Sequence, residues 1–296
     1  MKTKKTSNLL PFVPKLDSWE VEKCYQDYTE ILPALLRHID QAQESIDLSM
    51  YIFTLDDVGN QVLDSLKNAA KRGVKVRLIV DGIGSPNFTS GILKQLYLEH
   101  KVEVRIYKPT SLFFRNFFNH LMNLRIVKII KSIRKMNHRN HQKIGIFDSQ
   151  NMIIGSANLN SRFAAWRETM ISVKGKDIQF VQKDFNYLWS RSSTLNAYHG
   201  GAYRKQSKLS PYLIINNLHM ARTRVKMINK AKNNLKLISP YFIPPYYLLI
   251  PLLRAARRGV QVEILTSKKT DVWYIPWFSR RYFNLLIKNN IKIHEH

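Results

Sequence analysis

The sequence predicts an α/β protein in which mixed, mostly parallel sheets are flanked by helices. Two observations support this fold class: β-rich runs alternate with amphipathic helical segments, and one strand–helix–strand pattern occurs twice. The 296 residues are 45% hydrophobic and 23% charged. This composition is typical of a folded protein, and the length corresponds to about two domains.

The first half of the chain alternates between apolar residues at helical spacing and short apolar runs typical of strands. Val58, Val62, Leu63 and Leu66 have helical spacing, and the run that follows Gly73 is almost continuously apolar, as in a parallel sheet. The predicted elements are a strand at Ile46–Phe53, a helix at Asp57–Arg72, a strand at Val74–Val80, a helix at Gly91–His100 and a strand at Val102–Tyr107.

Further elements follow the same logic. Short strands are predicted at Lys143–Phe147, Met152–Ile154 and Thr169–Val173, and a helix at Asp177–Ser190. The stretch Leu237–Leu253 has no charged residue, but four prolines interrupt it. Each proline removes an amide donor that lipid cannot replace, so we expect a strand, a turn and a helix start there, and no membrane-spanning segment.

An internal repeat predicts two pseudo-symmetric lobes. The hexamer Ala-Ala-Lys-Arg-Gly-Val at 69–74 recurs as Ala-Ala-Arg-Arg-Gly-Val at 255–260, and Tyr51 matches Tyr241. We expect a basic N-terminal segment at 1–20, a first lobe at 21–205 and a partial second lobe at 206–296. The alternative is that any two strand–helix–strand units look alike, but a shared hexamer favours the repeat.

The charge of the chain indicates a polyanionic partner. Forty-seven Lys and Arg residues against 21 Asp and Glu give a formal net charge of +26 at pH 7. Nucleic acid and an anionic membrane surface are both candidates. A single cysteine, Cys24, excludes an intramolecular disulfide and a cysteine-based zinc cluster.

Six residues at fixed spacing carry the most specific signal. They are His141, Lys143, Asp148, Gly155, Ser156 and Asn158. His141 and Lys143 are two residues apart, so on a strand their side chains share one face. A neutral imidazole can attack phosphorus there while the ammonium neutralises a non-bridging oxygen. Ser156 and Asn158, after a second strand, would add hydroxyl and amide donors to the same phosphate.

Glu168 completes the predicted catalytic set. A carboxylate bound to the far ring nitrogen of His141 would hold the attacking tautomer. The chemistry requires no metal or cofactor, and the sequence has no His/Asp cluster that suggests one. The alternatives are structural: His141 as a core residue, Ser156 and Asn158 as turn formers, and Glu168 as a surface carboxylate.

The motif His-x-Lys-x4-Asp with Gly-Ser-x-Asn resembles the HKD motif of the phospholipase D superfamily, and the chain is most similar to bacterial cardiolipin synthases. Further similar stretches are Leu78–Ser85, Arg139–Lys143, Trp166–Thr169, Ser239–Pro244, the 255–260 hexamer, and Asp271 followed by Arg281, Tyr282 and Phe283. The resemblance implies a phospholipase D-like fold and transfer of a phosphatidyl group through a phosphohistidine. It also implies that Asp148 is a structural support, whereas transferase and hydrolase remain undistinguished.

The family has a second HKD motif, whose histidine acts as general acid. By the repeat, this motif should begin soon after Ile291–Glu295, and no other histidine of the chain is followed by x-Lys-x4-Asp. Three explanations stay open: a piece of a longer enzyme, a homodimer that pairs two copies of the first motif, or an inactive protein. We expect the 296 residues alone to be inactive or severely impaired in turnover, since general acid catalysis contributes roughly a hundredfold to ten-thousandfold.

A basic insertion at 110–137 indicates where a membrane would bind. Within 112–136, isoleucines fall on one face of a helical wheel and Lys and Arg on the other, after four phenylalanines. Such a helix lies flat in an anionic interface. The expected partners are an anionic, phosphatidylglycerol-like phospholipid and the cytoplasmic face of the bacterial cell membrane, bound peripherally. A helix packed on the core, or a nucleic-acid site, are the alternatives.

Overall fold

The computed structural model describes residues 20–109, 139–192, 217–270 and 272–296. The chain forms two compact units, residues 1–213 and 214–296, and the boundary predicted from the sequence was 205/206. The predicted amphipathic insertion at 110–137 and residues 1–19 of the basic N-terminal segment lie outside the described residues. No described helix is both long enough and apolar enough to cross a bilayer.

The first unit is built on a seven-stranded mixed sheet with the order β1-β7-β6-β5-β2-β3-β4. Strands β2, β3 and β4 are parallel, and the other neighbouring pairs are antiparallel. The elements are β1 (Glu20–Asp27), α1 (Tyr28–Gln41), β2 (Ser45–Met50), α2 (Asp57–Lys71), β3 (Lys75–Asp81), α3 (Ser90–His100), β4 (Val102–Tyr107), β5 (Lys143–Phe147), β6 (Asn151–Gly155), a 3-10 turn (Ser161–Phe163), β7 (Arg167–Lys174) and α4 (Ile178–Arg191).

Helices cover both faces of this sheet, which confirms the predicted α/β class. Leu78 and Val80 of β3 pack in one cluster with residues of α1, α2 and α3. Ile79, which points to the opposite face, packs in a second cluster with Phe185 and Trp189 of α4. Strand β3 is therefore buried on both sides, which explains its almost continuous apolar sequence.

Neither β1 nor α1 was predicted from the sequence. In β1 only Tyr25 is buried, because this edge strand pairs with β7 alone and is otherwise exposed. Helix α1 does show the helical spacing of buried residues at Ile31, Ala34, Leu35 and Ile39, but Pro33 interrupts the pattern. An exposed edge strand and a proline-containing helix both give weak sequence signals.

The second unit has a three-stranded, fully parallel sheet with the order β10-β9-β8. Its elements are α5 (Asn217–Lys230), β8 (Asn234–Ile238), α6 (Tyr246–Arg257), β9 (Gln261–Thr266), α7 (Ile275–Lys288) and β10 (Lys292–Glu295).

The hexamer found by sequence makes the same contacts in both units. Arg72 Nη2 donates to the carbonyl oxygens of Ile39 and Asp40 at the end of α1, both at 3.0 Å. Arg258 Nη2 donates to the carbonyl oxygen of Ile228 at 3.1 Å and to that of Asn229 at 3.4 Å, at the end of α5. Each arginine follows one helix and satisfies carbonyl groups at the end of the helix before that one, which have no intrahelical partner.

Candidate active site

The predicted pair, His141 and Lys143, meets at the start of β5. Lys143 is the first residue of this strand, and His141 lies in the segment just before it, so the histidine is not on the strand as predicted. Lys143 Nζ is 3.3 Å from His141 Nδ1 and donates to the His141 carbonyl oxygen at 3.1 Å. The ammonium and the imidazole therefore converge.

Burial sets the protonation of this pair. Lys143 is only 4% exposed, and desolvation lowers the pKa of its ammonium to about 8. Burial also lowers the pKa of His141, and the neighbouring charge of Lys143 lowers it further. At neutral pH the imidazole is thus uncharged beside a lysine that still keeps most of its positive charge. A neutral imidazole is the nucleophilic form.

Tyr51 forms one wall of the site. Its ring centroid lies 4.5 Å from that of His141, with the planes tilted by 46°, and Lys143 Nζ lies 5.1 Å from the Tyr51 centroid. Tyr51 directly follows β2, whose last residue, Met50, pairs with Lys143 in the sheet. In the sequence Tyr51 stands out only as part of the repeat, and nothing there predicts its contact with His141.

A buried carboxylate holds the chain that leads into His141. Asp81, at the end of β3, is fully buried and accepts hydrogen bonds from the amides of Ile83, Gly84 and Asn140. The Asn140 side chain in turn donates to Ser49 Oγ at 2.8 Å. Because Asn140 precedes His141 directly, this network fixes the position of the histidine backbone. Sequence analysis noted Asp81 only as part of a family stretch.

Ser156 and Asn158 follow β6, as predicted, and both are tied to the backbone. The Ser156 hydroxyl accepts from the Thr169 amide at 3.0 Å. Asn158 Oδ1 accepts from the Ile52 amide at 3.3 Å, and the Asn158 carbonyl oxygen accepts from the Tyr28 hydroxyl. Since the carbonyl end of the Asn158 side chain is used in this way, its amide hydrogens are the end suited to a phosphate oxygen.

Glu168 has a different partner from the one predicted. Its carboxylate accepts a hydrogen bond from the Ser156 hydroxyl, and its negative charge raises the pKa of Lys143. Burial raises the pKa of Glu168 itself. Among the described residues no hydrogen bond joins Glu168 to His141, so the orienting contact stays a prediction. The interactions of Glu168 seen here are with the Ser156 hydroxyl and the charge of Lys143.

Asp148 lies at the opposite end of β5. Its carboxylate accepts from the amides of Gln43, Glu44 and Ser45, at 2.8 to 3.0 Å for the shortest contact to each. These bonds lower the pKa of Asp148, against the effect of its burial. A five-residue strand is about 17 Å long, so Asp148 supports the start of β2 and does not reach a phosphate beside His141.

Comparisons with known proteins identify the family. A family model described as the phospholipase D-like domain of cardiolipin synthase matches residues 35–189 and 225–296. The cardiolipin synthase of Alkalihalophilus pseudofirmus is 29% identical over 93% of this chain and 54% of its own length. The major cardiolipin synthase ClsA of Bacillus subtilis is 28% identical over 86% of this chain and 52% of its own length. The chain spans about half the length of these relatives.

The fold has a counterpart among solved structures. Phosphatidylserine synthase from Haemophilus influenzae aligns with a TM-score of 0.65 over 95% of this chain and 75% of its own, at 12% identity. At that identity the likeness concerns the fold alone. Within the described residues, no group of three or more His, Cys, Asp or Glu side chains is arranged to hold a metal ion. By its family match over most of its length, the chain belongs to the phospholipase D-like domains of the cardiolipin synthase family.

Proposed function

We propose that this chain carries the nucleophilic centre of a phosphatidyltransferase of the cardiolipin synthase type. The observation that supports it best is the paired geometry of His141 and Lys143, 3.3 Å apart with a depressed histidine pKa. A neutral imidazole beside an ammonium suits attack on a phosphodiester, because the ammonium offsets the charge that gathers on the phosphate oxygens.

In the proposed step, the unprotonated ring nitrogen of His141 attacks the phosphorus of an anionic phospholipid such as phosphatidylglycerol. A nitrogen–phosphorus bond forms, and the bond from phosphorus to the glycerol oxygen breaks. Lys143 and the Asn158 amide bind the non-bridging oxygens. The leaving alkoxide takes a proton from a general acid, which by family resemblance is the histidine of a second motif.

The second half of the reaction regenerates His141. The hydroxyl of an acceptor attacks the phosphohistidine and releases the imidazole. Its proton goes to the group that served as general acid in the first step and now acts as general base. With a lipid acceptor the product is a cardiolipin, and with water it is phosphatidic acid. These 296 residues contain one HKD motif, so we also propose that turnover by this polypeptide alone is slow.

A single-turnover assay tests this function without requiring fast turnover. The protein, in excess over phosphatidylglycerol in mixed vesicles, is expected to release glycerol and to form cardiolipin or phosphatidic acid in the presence of a chelator. His141→Ala should abolish release. His100→Ala is the matched control, because His100 ends α3 and is no part of the site.

Two results contradict the proposal. Glycerol release that is unchanged in His141→Ala would place the chemistry elsewhere. Chelator-resistant cleavage of single- or double-stranded DNA, lost in His141→Ala and without any reaction on vesicles, would instead identify a nuclease, an activity that the net charge of +26 would also favour.

A further inference from the structure

Helix α7 and the residues just before it expose a cluster of large aromatic side chains, here called the aromatic face. It consists of Trp273, Tyr274, Trp277 and Phe278, which are 85%, 44%, 56% and 40% exposed. Soluble proteins rarely expose adjoining large apolar side chains without a binding role. The proposed reaction at His141 makes no use of this surface.

The aromatic face includes the exposed side of the first turn of α7, whose buried residues are Ser279 and Leu286. Leu286 belongs to the core of the second unit. Neighbouring rings meet edge to face: Trp277 and Phe278 have centroids 4.8 Å apart at 80°. The exposure is therefore a property of an ordered, mutually supported cluster.

Positive charge accompanies these rings. The guanidinium of Arg281 lies 3.9 Å from the Trp277 ring centroid and 5.6 Å from that of Phe278. Across residues 214–296 there are fifteen Lys and Arg but only three Asp and Glu. A partner for the aromatic face must therefore combine an apolar layer with negative charge.

We propose that the aromatic face docks into the interface of an anionic lipid bilayer. Tryptophan and tyrosine favour the headgroup level, where an apolar ring and a polar N–H or O–H are both satisfied. Arg281, whose guanidinium stacks on the Trp277 ring, would donate its N–H groups to the lipid phosphates. The residues of the aromatic face are separate in sequence from the 112–136 stretch, and lipid binding by this face requires no chemistry at His141.

Two other occupants fit the observations less well. A second copy of this chain would bring two strongly basic surfaces together, which is unfavourable. Single-stranded nucleic acid would need free ring faces for base stacking. Arg281 already covers one face of the Trp277 ring, which leaves Trp273 as the most open ring for stacking.

The test is vesicle flotation of the whole chain with Trp273→Ala/Trp277→Ala. On vesicles of equal parts phosphatidylcholine and phosphatidylglycerol, we expect affinity to fall by about tenfold for each tryptophan removed, since each loses a large apolar burial. The matched control is Tyr97→Ala/Leu98→Ala, an exposed apolar pair on α3 that is 53% and 54% exposed. This control should bind like the parent.

A second measurement works even if the alanine variant does not fold. Lipids brominated near the headgroup should quench the tryptophan fluorescence of the parent protein, and Trp273→Phe/Trp277→Phe should lose most of this quenching. Unchanged vesicle affinity or unchanged quenching overturns the proposal. The proposal is also overturned if the alanine variant keeps its vesicle affinity and loses only binding to single-stranded DNA. The same holds if it loses only self-association, as measured by sedimentation velocity. Loss of vesicle binding with glycerol release from a soluble short-chain lipid intact separates this surface from the reaction.

Discussion

At corresponding positions, each of the two sheets carries a row of three charged residues of alternating sign, here called a ladder. The signs in one ladder are the reverse of those in the other. In the first unit, Asp47, Arg77 and Glu103 stand side by side on β2, β3 and β4. In the second unit, the equivalent positions on β8, β9 and β10 are Lys236, Glu263 and Lys292. The same strand arrangement therefore accepts a positive or a negative residue on its central strand, provided that the two flanking strands carry the opposite charge.

The ladders differ in burial. Arg77 binds Asp47 through two hydrogen bonds of 2.6 Å, and its guanidinium lies 5.1 Å from the Phe185 ring and 5.3 Å from the Trp189 ring of α4. Glu263 is 3.9 Å from both of its lysines, which are 70% and 73% exposed. The stability that a buried ion pair contributes depends on its geometry, whereas an exposed ion pair contributes little and can be replaced at small cost.

The largest expected effect comes from removing the central residue of each ladder. Arg77→Ala leaves Asp47 buried without its cation, so we expect a loss of about 3–5 kcal/mol in the free energy of unfolding. Glu263→Ala should cost less than about 1 kcal/mol. Denaturant unfolding, with hydrogen exchange to localise the loss, measures both. Equal costs would mean that burial does not distinguish the ladders.

The next largest effect concerns the charge in the site. Lys143→Met should lower the rate of glycerol release by roughly a hundredfold to a thousandfold, because it removes the group that stabilises the developing charge. Stability should hold or rise, since the variant also removes the cost of burying an ammonium. Lys236→Met is the matched control on the exposed ladder. A rate near that of the parent would exclude Lys143 from the reaction.

A tenfold effect should separate the two tyrosines of the repeat. Tyr51 contacts the His141 ring, whereas Tyr241 is 42% exposed and the sheet register places it one residue further along its repeat than Tyr51. Tyr51→Ala should slow glycerol release by about tenfold through a misplaced imidazole, a cost in the range of an aromatic pair. Tyr241→Ala should not. Similar losses in both variants would point to a general packing role.

The smallest expected effect is a shift in pH dependence. The proposed step needs neutral His141 and protonated Lys143, so its rate should fall as pH rises through about 8 and persist on the acid side to below the usual histidine pKa. The Glu168 carboxylate raises the pKa of Lys143, so Glu168→Gln should move the alkaline limb to lower pH. The acid limb should stay in place. A shifted acid limb would instead support the predicted contact of Glu168 with His141.

The hydrophobic pattern within a short segment was enough to predict the buried strands. The bounds of β4 and β5 were correct to the residue, since a buried strand between polar turns is visible in its own sequence. Strand β1 was missed because its place depends on β7, which is far away along the chain. Its exposed residues give no alternating pattern.

The site shows the same division. The spacing of His141 and Lys143 predicted their convergence, although His141 precedes the strand. The contacts of Tyr51 and Asp81 arise from pairing between β2, β3 and β5, which no local spacing reveals. The sequence did not reveal the contact of Glu168 with Ser156, because sequence does not rank the donors that compete for one carboxylate.

The proposed reaction requires that His141 become covalently attached to phosphorus. Incubation with short-chain phosphatidylglycerol, an alkaline quench that preserves phosphoramidates, and mass spectrometry of the peptide that contains His141 test it most directly. We predict a phosphatidyl adduct on the His141 ring, which is absent from His141→Ala and much reduced in Lys143→Met. Glycerol release with His141 unmodified at every time point, or an adduct on another residue, would exclude His141 as the nucleophile.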